Sequence, residues 1–490
     1  MSSVMREDWL EVELQDVFET VTGNTPSKKE IDNYGQEIPF IKPPDITNSA
    51  IKSISEYLSN KGKLKARVLP SNSVLITCIG NLGRVGFNKD EVAFNQQINA
   101  ILPTGFIDFK FTFYQAQSGS FRNQLESLST STTVALVNKS SFNSVRIKLA
   151  PLPIQRAIVS KIEALFSDLD NGIANFKTAQ AQLKIYRQAV LKKAFEGKLS
   201  ELGKVGLKDD RIIEEEILKS NNPKNPNSDN LPKGWKWVKL GEVIEKPKYG
   251  TSKKCDYNNG NVGVLRIPNI SNGYIDDSDL KFAEFSSAEI SDYSLNEGDI
   301  LTIRSNGSVD LVGKCALIKK SDVKYLYAGY LIRLRPIKDF LNSSYLLYLM
   351  FSVALRVQIE SFAKSTSGVN NINSGELSNL IIPIPPTIAE QTQIVQEIES
   401  RLSVCDKVEQ SISESLIKAE ALRQSILKKA FEGKLLSEAE IEQCKKEADY
   451  EPASGLLTRI ERSRNEKIKA EKLAKEQEQK KATTKKKSKK

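Results

Sequence analysis

Apolar residues return every seven positions along two long stretches of the chain. In the first, Ile162, Leu169, Phe176, Leu183 and Val190 keep the beat, with Leu165, Ala179 and Tyr186 between them. In the second, Ile398, Cys405, Ile412, Ala419 and Ile426 keep it, with Leu402, Val408 and Leu422 between them. A spacing of about 3.5 residues lays one apolar seam along one side of a helix, and such a seam is buried only against another helix of the same kind. Each stretch follows prolines, PLPIQ at Pro151 and PIPPTIAEQ at Pro383, which impose an extended approach and stop the helix from running further upstream. Two helices of about 40 residues, about 60 Å long at 1.5 Å per residue, are predicted to pair with each other. Packing of each on its own domain is the alternative.

The two stretches are copies. Gln155 to Leu199 aligns without a gap on Gln391 to Leu435, with 18 of 45 positions identical, and both end in LKKAFEGKL, at Leu191 and at Leu427. The segments ahead of them correspond more faintly. Trp9, Val12, Leu14 and Val17 match Trp235, Val238, Leu240 and Val243; FIKPPDITN at Phe40 resembles VLRIPNISN at Val264; LPSNSVLIT at Leu69 resembles LNEGDILTI at Leu295. A helical stretch near Phe109 to Leu128 parallels Ser344 to Ala363, each followed by STS, at Ser129 and Ser365. The predicted fold is α+β: two tandem globular modules, each followed by a long helix, with the two helices pairing as an antiparallel coiled coil in a pseudo-two-fold internal repeat. The boundaries are residues 1–150 and 232–382 for the modules, 151–200 and 383–436 for the helices, and 201–231 for an Asn/Pro/Ser-rich linker. Residues 437–490 form a charged, helix-prone extension whose lysine-rich end is expected to be disordered.

Composition narrows the chemistry. Hydrophobic residues at 39% and charged residues at 27% are those of a globular protein. No run approaches the roughly 18 apolar residues that span a bilayer, and the start MSSVMREDWL is polar, so a cytoplasmic protein is expected. The five cysteines never form CxxC, which indicates neither a zinc site nor a disulfide framework. Histidine is absent, which excludes Ser-His-Asp and Cys-His nucleophile systems and His-ligated metals. GxxxxGK[ST] and GxGxxG are absent too, so the chain reads as a binder that is not itself an enzyme, without a catalytic residue or a metal ligand set. The net charge of +10 points to nucleic acid, yet Arg464 to Lys490 alone carries 12 Lys/Arg against 4 Asp/Glu. The body is therefore only about +2, and DNA binding has to rest on local patches.

The WxxVxL openings at Trp9 and Trp235, the LPIQRAIVSKIE and AEQTQIVQEIE lead-ins and the paired LKKAFEGKL ends resemble the specificity subunit of type I restriction-modification systems, often called HsdS. The resemblance covers the chain from about Trp9 to Leu435. It implies that each module is a target-recognition domain reading one half of a split double-stranded DNA sequence, and that the helix pair sets the gap between half-sites. It also implies two modification subunits that bind S-adenosylmethionine and methylate adenine, and restriction subunits driven by ATP and magnesium. This chain would hold none of those cofactors. A coiled-coil adaptor that binds proteins through its modules is the alternative, as is a system that only methylates.

Candidate residues follow from chemistry. Two identical partners need two equivalent docking surfaces, which one chain supplies by repeating itself. In LKKAFEGKL this singles out Lys192, Lys193, Phe195 and Glu196, with Lys428, Lys429, Phe431 and Glu432 in the second copy; finishing the coiled coil and capping the helix at Gly197 is the other role open to the string. Reading bases in the major groove calls for Arg or Lys opposite guanine and Asn or Gln opposite adenine, carried on loops. These are Lys42, Asn48, Asn81, Arg84, Asn95, Gln96 and Gln97 in the first module, and Arg266, Asn269, Asn272, Arg304, Asn306, Ser308 and Asn370 in the second. Each is equally suited to forming a turn or holding a phosphate, and Tyr249 in KYGTSKK is suited to stacking or to packing.

Overall fold

The computed structural model describes residues 6–130, 134–199, 231–363 and 369–487, with side chains as far as residue 470. The linker at 201–230 and the STS at Ser365 lie outside the described residues. The chain divides into two compact units, Met1–Ala174 with Ser415–Lys490, and Asn175–Glu414. These are not the linear segments expected from sequence, because each long helix contributes to both.

Within the first unit, the short apolar runs VLIT and INAI become the central strands Val74–Thr77 and Ile98–Ile101, every residue buried. They pair antiparallel from Val74 opposite Ile101 to Thr77 opposite Ile98, flanked by Thr20–Thr22 and Val85–Phe87. A second sheet runs Tyr57–Leu58, Tyr34–Ile41, Val92–Phe94, Val68–Leu69. The other unit repeats this order, with three strands in its second sheet where the first unit has four. ILTI and LIRL form the buried strands Ile300–Ile303 and Leu331–Leu334, flanked by Lys248–Tyr249 and Cys315–Leu317, beside a sheet of Lys281–Ala283, Val262–Leu265 and Leu326–Tyr327. Leu10–Glu13 pairs with Arg146–Leu149 as Lys236–Lys239 pairs with Ile381–Ile384.

Details match where sequence identity is faint. Gly23 and Gly250 both lie against a neighbouring backbone; an added Cβ would meet the Asn95 carbonyl oxygen at 2.1 Å and the Tyr327 carbonyl oxygen at 2.2 Å. Gln124 closes a two-bond clasp on Arg146, receiving from its N–H (2.8 Å) and donating to its carbonyl (3.0 Å). Gln358 does the same to Ile381 (2.8 and 3.0 Å).

The long helices are Leu152–Phe195 and Ile388–Phe431. Buried Gln155 near the start of the first bonds the Asp108 N–H (3.0 Å) and the Ala150 carbonyl (2.7 Å); Gln391 bonds the Asn342 N–H (2.8 Å) and the Phe340 carbonyl (3.0 Å). Asp108 and Asn342 are the N-caps of Phe109–Ala116 and Ser343–Met350, so each glutamine fixes its helix to the cap of the module before it.

On the second helix Ile398, Cys405, Ile412, Ala419 and Ile426 are all buried, while on the first Ile162 and Val190 are buried and Leu169, Phe176 and Leu183 half-buried. The residues expected between them need correction. Val408 and Leu422 are 41% and 50% exposed, because the seam advances by four and then three residues, not three and then four. The intervening places fall instead to Glu409 and Arg423. Glu409 and Asp406 take Arg187 (2.9 and 2.7 Å), and Arg423 pairs with Asp170 while lying over the Phe166 ring at 4.4 Å. Arg187 and Arg423 occupy matching places in the repeat, as do Asp170 and Asp406. One ion pair is thus written twice with the helices exchanged, once within each unit, and each copy sets the two helix segments of its unit antiparallel.

The end of each helix enters the core of the module it does not adjoin in sequence from its own half. Val190, Leu191, Ala194 and Phe195 pack with Leu240, Leu346 and Ile382, Phe195 edge-on to Tyr345 with centroids 5.3 Å apart. Ile426, Leu427, Ala430 and Phe431 pack with Trp9 and Phe111, the Phe431–Phe111 centroids 5.2 Å apart. Both helices stop at a glycine with positive φ, Gly197 (68°) and Gly433 (72°), and the following N–H caps back onto Lys193 and Lys429 (2.8 Å each).

The extension folds as Glu438–Cys444 and Ala453–Lys487, so the helix runs as far as Lys487 into the stretch expected to be disordered, and residues 488–490 lie outside the described residues. Ile441, Cys444, Ala453, Leu456 and Ile460 join the first unit's core. Ion pairs surround them: Arg156 with Glu447 (2.7 Å) and Asp449 (2.8 Å), Lys161 with Glu440 (2.6 Å), Arg6 with Glu438 (3.0 Å).

Trp9 belongs to the first unit, Trp235 and Trp237 to the second, so tryptophan emission reports each separately. Phe195→Ala is expected to destabilise the second unit by about 3–5 kcal/mol and leave the first unchanged, although Phe195 follows the first module in sequence. Denaturation followed on Trp9 alone, in a chain with Trp235 and Trp237 replaced by Phe, checks this; a parallel loss there would refute the crossed anchoring. Acid tests the extension. The Glu440 carboxyl is held down at about 2, chiefly by the Lys161 hydrogen bond and then by the Ser437 N–H and hydroxyl. Its folded value lies below the ordinary 4.5, so its contribution is complete above that pH and is lost as pH falls toward 2. The stability gap between wild type and Glu440→Gln, present at pH 7, should close across that window, and a constant gap would contradict the assignment.

Candidate nucleic-acid interface

Lys42 and Arg266 stand at the same station, each at the end of a strand and just before a short 3-10 turn. The side chain three residues on accepts from the backbone N–H, Asp45 at 2.8 Å and Asn269 at 2.8 Å. Both cations are paired within their own unit: Lys42 with Glu56 (2.7 Å), Arg266 with the Asp279 carboxylate (3.0 Å) and carbonyl (2.9 Å). Two amides expected at the surface are structural instead. Asn269 is fully buried and also donates to the Asp276 and Asp279 carbonyls (2.9 and 3.1 Å). Asn95, 9% exposed, accepts from the Gln97 N–H (3.0 Å) and donates to the Gln97 side chain (3.1 Å). A buried amide needs every hydrogen bond it can make, and these obtain them from the turn they close.

The other candidates of the first unit lie on three loops that backbone bonds tie together. Asn95 N–H donates to the Ile41 carbonyl (3.0 Å), Cys78 N–H to the Gln97 carbonyl (2.8 Å), and Val85 N–H to the Asn48 side chain (3.0 Å). Asn48, at φ 57°, is a turn former. Asn81 and Arg84 are exposed on the hairpin after Thr77, whose hydroxyl donates to the Asn81 carbonyl (2.6 Å) and accepts from the Arg84 N–H (3.0 Å). Gln96 is exposed and accepts from the Thr25 hydroxyl.

In the second unit the same ties place Arg304, Asn306, Ser308 and Asn370 together. Ser305–Asn306 pairs with Asn370–Asn371 as a two-stranded ribbon, Asn306 opposite Asn370. Asn306 accepts from the Ser308 N–H (3.0 Å), the turn-forming role, and Asn370 donates to the Gly307 carbonyl (3.1 Å). Asn272 is exposed on a separate turn at Ser271–Tyr274. Tyr249, for which the sequence left stacking and packing open, and two residues that it did not single out complete the group. Tyr249 lies under the Arg304 guanidinium at 4.7 Å, Asn371 accepts from Arg304 Nε (3.3 Å), and Tyr330, 62% exposed, accepts the Arg304 N–H at its carbonyl (3.0 Å). Tyr330 stands where Gln97 stands in the first unit, since Arg304 N–H and Cys78 N–H make the corresponding bond. Cys78 itself is buried, which pushes its thiol up to about 12.

Of the docking candidates, Phe195 and Phe431 are core side chains and are not available to a partner. Lys192, Lys193 and Glu196 are half-exposed; Lys429 is exposed, and Lys428 is 74% exposed and lies 3.9 Å from Glu432, which also takes Lys434 (2.9 Å). Lys428 and Glu432 line a groove of about 930 Å³ with Arg6, Trp9, Asn123 and Arg146, all in the first unit. Among the described residues no group of three or more Cys, Asp or Glu is placed to hold a metal, and no single helix is long and apolar enough to cross a membrane.

The family described as "Type I restriction modification DNA specificity domain" matches residues 6–176 and 232–417. Among curated proteins, the chain is 28% identical over 478 residues to the type I restriction enzyme EcoKI specificity subunit of Escherichia coli (strain K12), covering 96% of each. It is 26% identical over 467 residues to the StySPI specificity subunit of Salmonella potsdam, covering 94% of this chain and 96% of that one. Among solved structures, the HsdS subunit from Thermoanaerobacter tengcongensis superposes with a TM-score of 0.53 at 20% identity, over 88% of this chain and 98% of that one. A chain described under the structural basis of complex assembly and conformational transition of the type I R-M system superposes with a TM-score of 0.68 at 21% identity, over 88% of this chain and 99% of that one. At these identities the solved structures speak to the fold.

Asn269→Ala is expected to cost the second unit about 1–3 kcal/mol through the buried groups it leaves unpaired, while exposed Asn272→Ala stays within about 0.5 kcal/mol. Denaturation followed on Trp235 and Trp237 checks both; equal effects would place Asn269 at the surface.

Proposed function

The chain belongs to the type I restriction-modification DNA specificity family, and from that premise we propose how its parts divide the work. It is a DNA sequence-recognition subunit, and the carrying observation is that the two matched segments, 6–176 and 232–417, each carry the same order of paired strands, short helices and the start of a long helix. Each reader takes one half of a split target. In the first, Asn81, Arg84, Gln96 and Gln97 face DNA, with Lys42 and Asn48 supporting their loops; in the second, Arg304, Asn306, Ser308 and Asn370 do so, with Arg266 and Asn272 toward the flanking phosphates.

Catalysis belongs to partners. Two modification subunits dock on the repeated helix ends through Lys192, Lys193 and Glu196 and through Lys428, Lys429 and Glu432, bring S-adenosylmethionine and methylate adenine. Restriction subunits bring ATP and magnesium chemistry. No cofactor is assigned to this chain.

The helix pair serves as the spacer between half-sites. Asp170 to Arg187 and Asp406 to Arg423 are equal intervals along the two helices, so removing Thr178–Lys184 together with Glu414–Glu420 shortens both alike and leaves both ion pairs their partners. Adenine methylation mapped in cells expressing this chain with its modification subunit should reveal a split motif that is absent with the modification subunit alone. The double deletion should change the gap and neither half-site. No motif despite complex formation would overturn the DNA-reading assignment, and altered half-sites would overturn the spacer.

A further inference from the structure

Arg304 differs from the other cations at the second reader's tip in how it is held. Its backbone is pinned on both sides, the N–H donating to the Tyr330 carbonyl (3.0 Å) and the carbonyl accepting from the Ile372 N–H (2.8 Å). Its guanidinium lies over Tyr249, 4.7 Å from the ring centre, and its Nε donates to Asn371 Oδ1 (3.3 Å). Tyr249 is fixed in turn: its hydroxyl accepts from the Ser374 N–H (2.9 Å), and its strand pairs with Leu331–Leu334. Lys42 and Arg266 are neutralised by Glu56 and Asp279. Among the described residues no carboxylate stands within ion-pair distance of Arg304.

With Nε engaged and a ring beneath the guanidinium, the two terminal nitrogens are left as a fork. A planar fork matches two acceptors side by side, a geometry a lysine cannot reproduce. Arg304 also leads into the ribbon Ser305–Asn306 and Asn370–Asn371, and a two-stranded ribbon is one of the elements that the major groove admits. In that groove the paired acceptors are O6 and N7 of guanine. Resting on the DNA-reading assignment above, we propose that Arg304, oriented by Tyr249 and Asn371, reads a guanine in the half-site recognised by the second reader. Tyr249 is its positioning residue.

The first reader cannot use this device. The matching station there is Cys78, which is buried, and the place of Tyr249 is taken by Thr22, whose hydroxyl is bonded to Asn99 (2.6 Å). The effect of altering Arg304 is therefore confined to one half of the target.

Methylation mapping with the modification subunit, repeated for Arg304→Ala, Arg304→Lys, Tyr249→Leu and Tyr249→Phe, tests this, with thermal unfolding of each purified complex as the control for folding. Arg304→Ala and Arg304→Lys should lose preference at one guanine of one half-site, methylation of the original sequence falling roughly tenfold or more, with the other half-site unchanged. Tyr249→Leu should relax that same position, and Tyr249→Phe, which keeps the ring, should restore it. Even weakening over all sequences with every base preference retained would make Arg304 a phosphate contact and overturn the proposal. So would a folded Arg304→Lys complex with an unchanged target. A wild-type complex that directs no split motif would instead remove the reading on which the proposal rests.

Discussion

Phe195 against Tyr345, and Phe431 against Phe111, are the contacts on which each unit depends. Each module has a strand pair and two short helices whose apolar faces remain to be covered, and the residues that cover them come from the far end of a long helix. The first module holds the start of the helix that follows it and the end of the other; the second does likewise. Neither unit can complete its core from contiguous sequence, so the chain folds through contacts of very high sequence separation. The nine-residue repeat follows from this. Leu, Ala and Phe at i, i+3 and i+4 make the stripe that enters the core, and Gly in the left-handed region stops the helix once the stripe is buried.

This explains which features were legible in the chain. The repeat, the heptad beat and the order of elements could be read, because a stripe of buried residues leaves a periodic trace. The role of Phe195 and Phe431 could not, since an apolar residue next to lysines reads as a surface for a partner until the segment that buries it is known. The misplacement of Val408 and Leu422 has a similar origin. A heptad beat implies an apolar residue at every seam position, but two positions hold Glu409 and Arg423, whose charges are satisfied across the helix pair. Charged residues there, half-exposed along the edge of the helix pair, favour one register and one direction, which hydrophobic periodicity cannot display.

The candidate interface was legible only by residue type. Asn and Arg on loops were a fair first selection, yet Asn95 and Asn269 proved to be the closures of buried turns. An amide that recognises its own backbone is chemically the same as one that recognises adenine, and only burial distinguishes them. Tyr330 and Asn371 were missed for the complementary reason. Tyrosine is not a base-reading type and Asn371 differs in nothing from its neighbour Asn370, while their place beside Arg304 is set by a backbone bond and a two-residue ribbon.

The two readers show why divergence concentrates where it does. The Gly23 and Gly250 contacts, the Gln155 and Gln391 ties and the Gln124 and Gln358 clasps are the same bonds made in both units, each on a group that would be left unpaired or overcrowded by a substitution. At the tips the requirement is weaker, because water satisfies whatever the protein does not. The same station, where a strand runs out into its loop, holds a cysteine tucked inside in one unit and an arginine over a ring in the other, above sheets paired in the same order. The constraint that keeps the frame identical is therefore the one that leaves the tips free: desolvation penalises change inside the unit and is nearly silent at its surface. A duplicated fold under that rule retains one geometry and presents two chemistries.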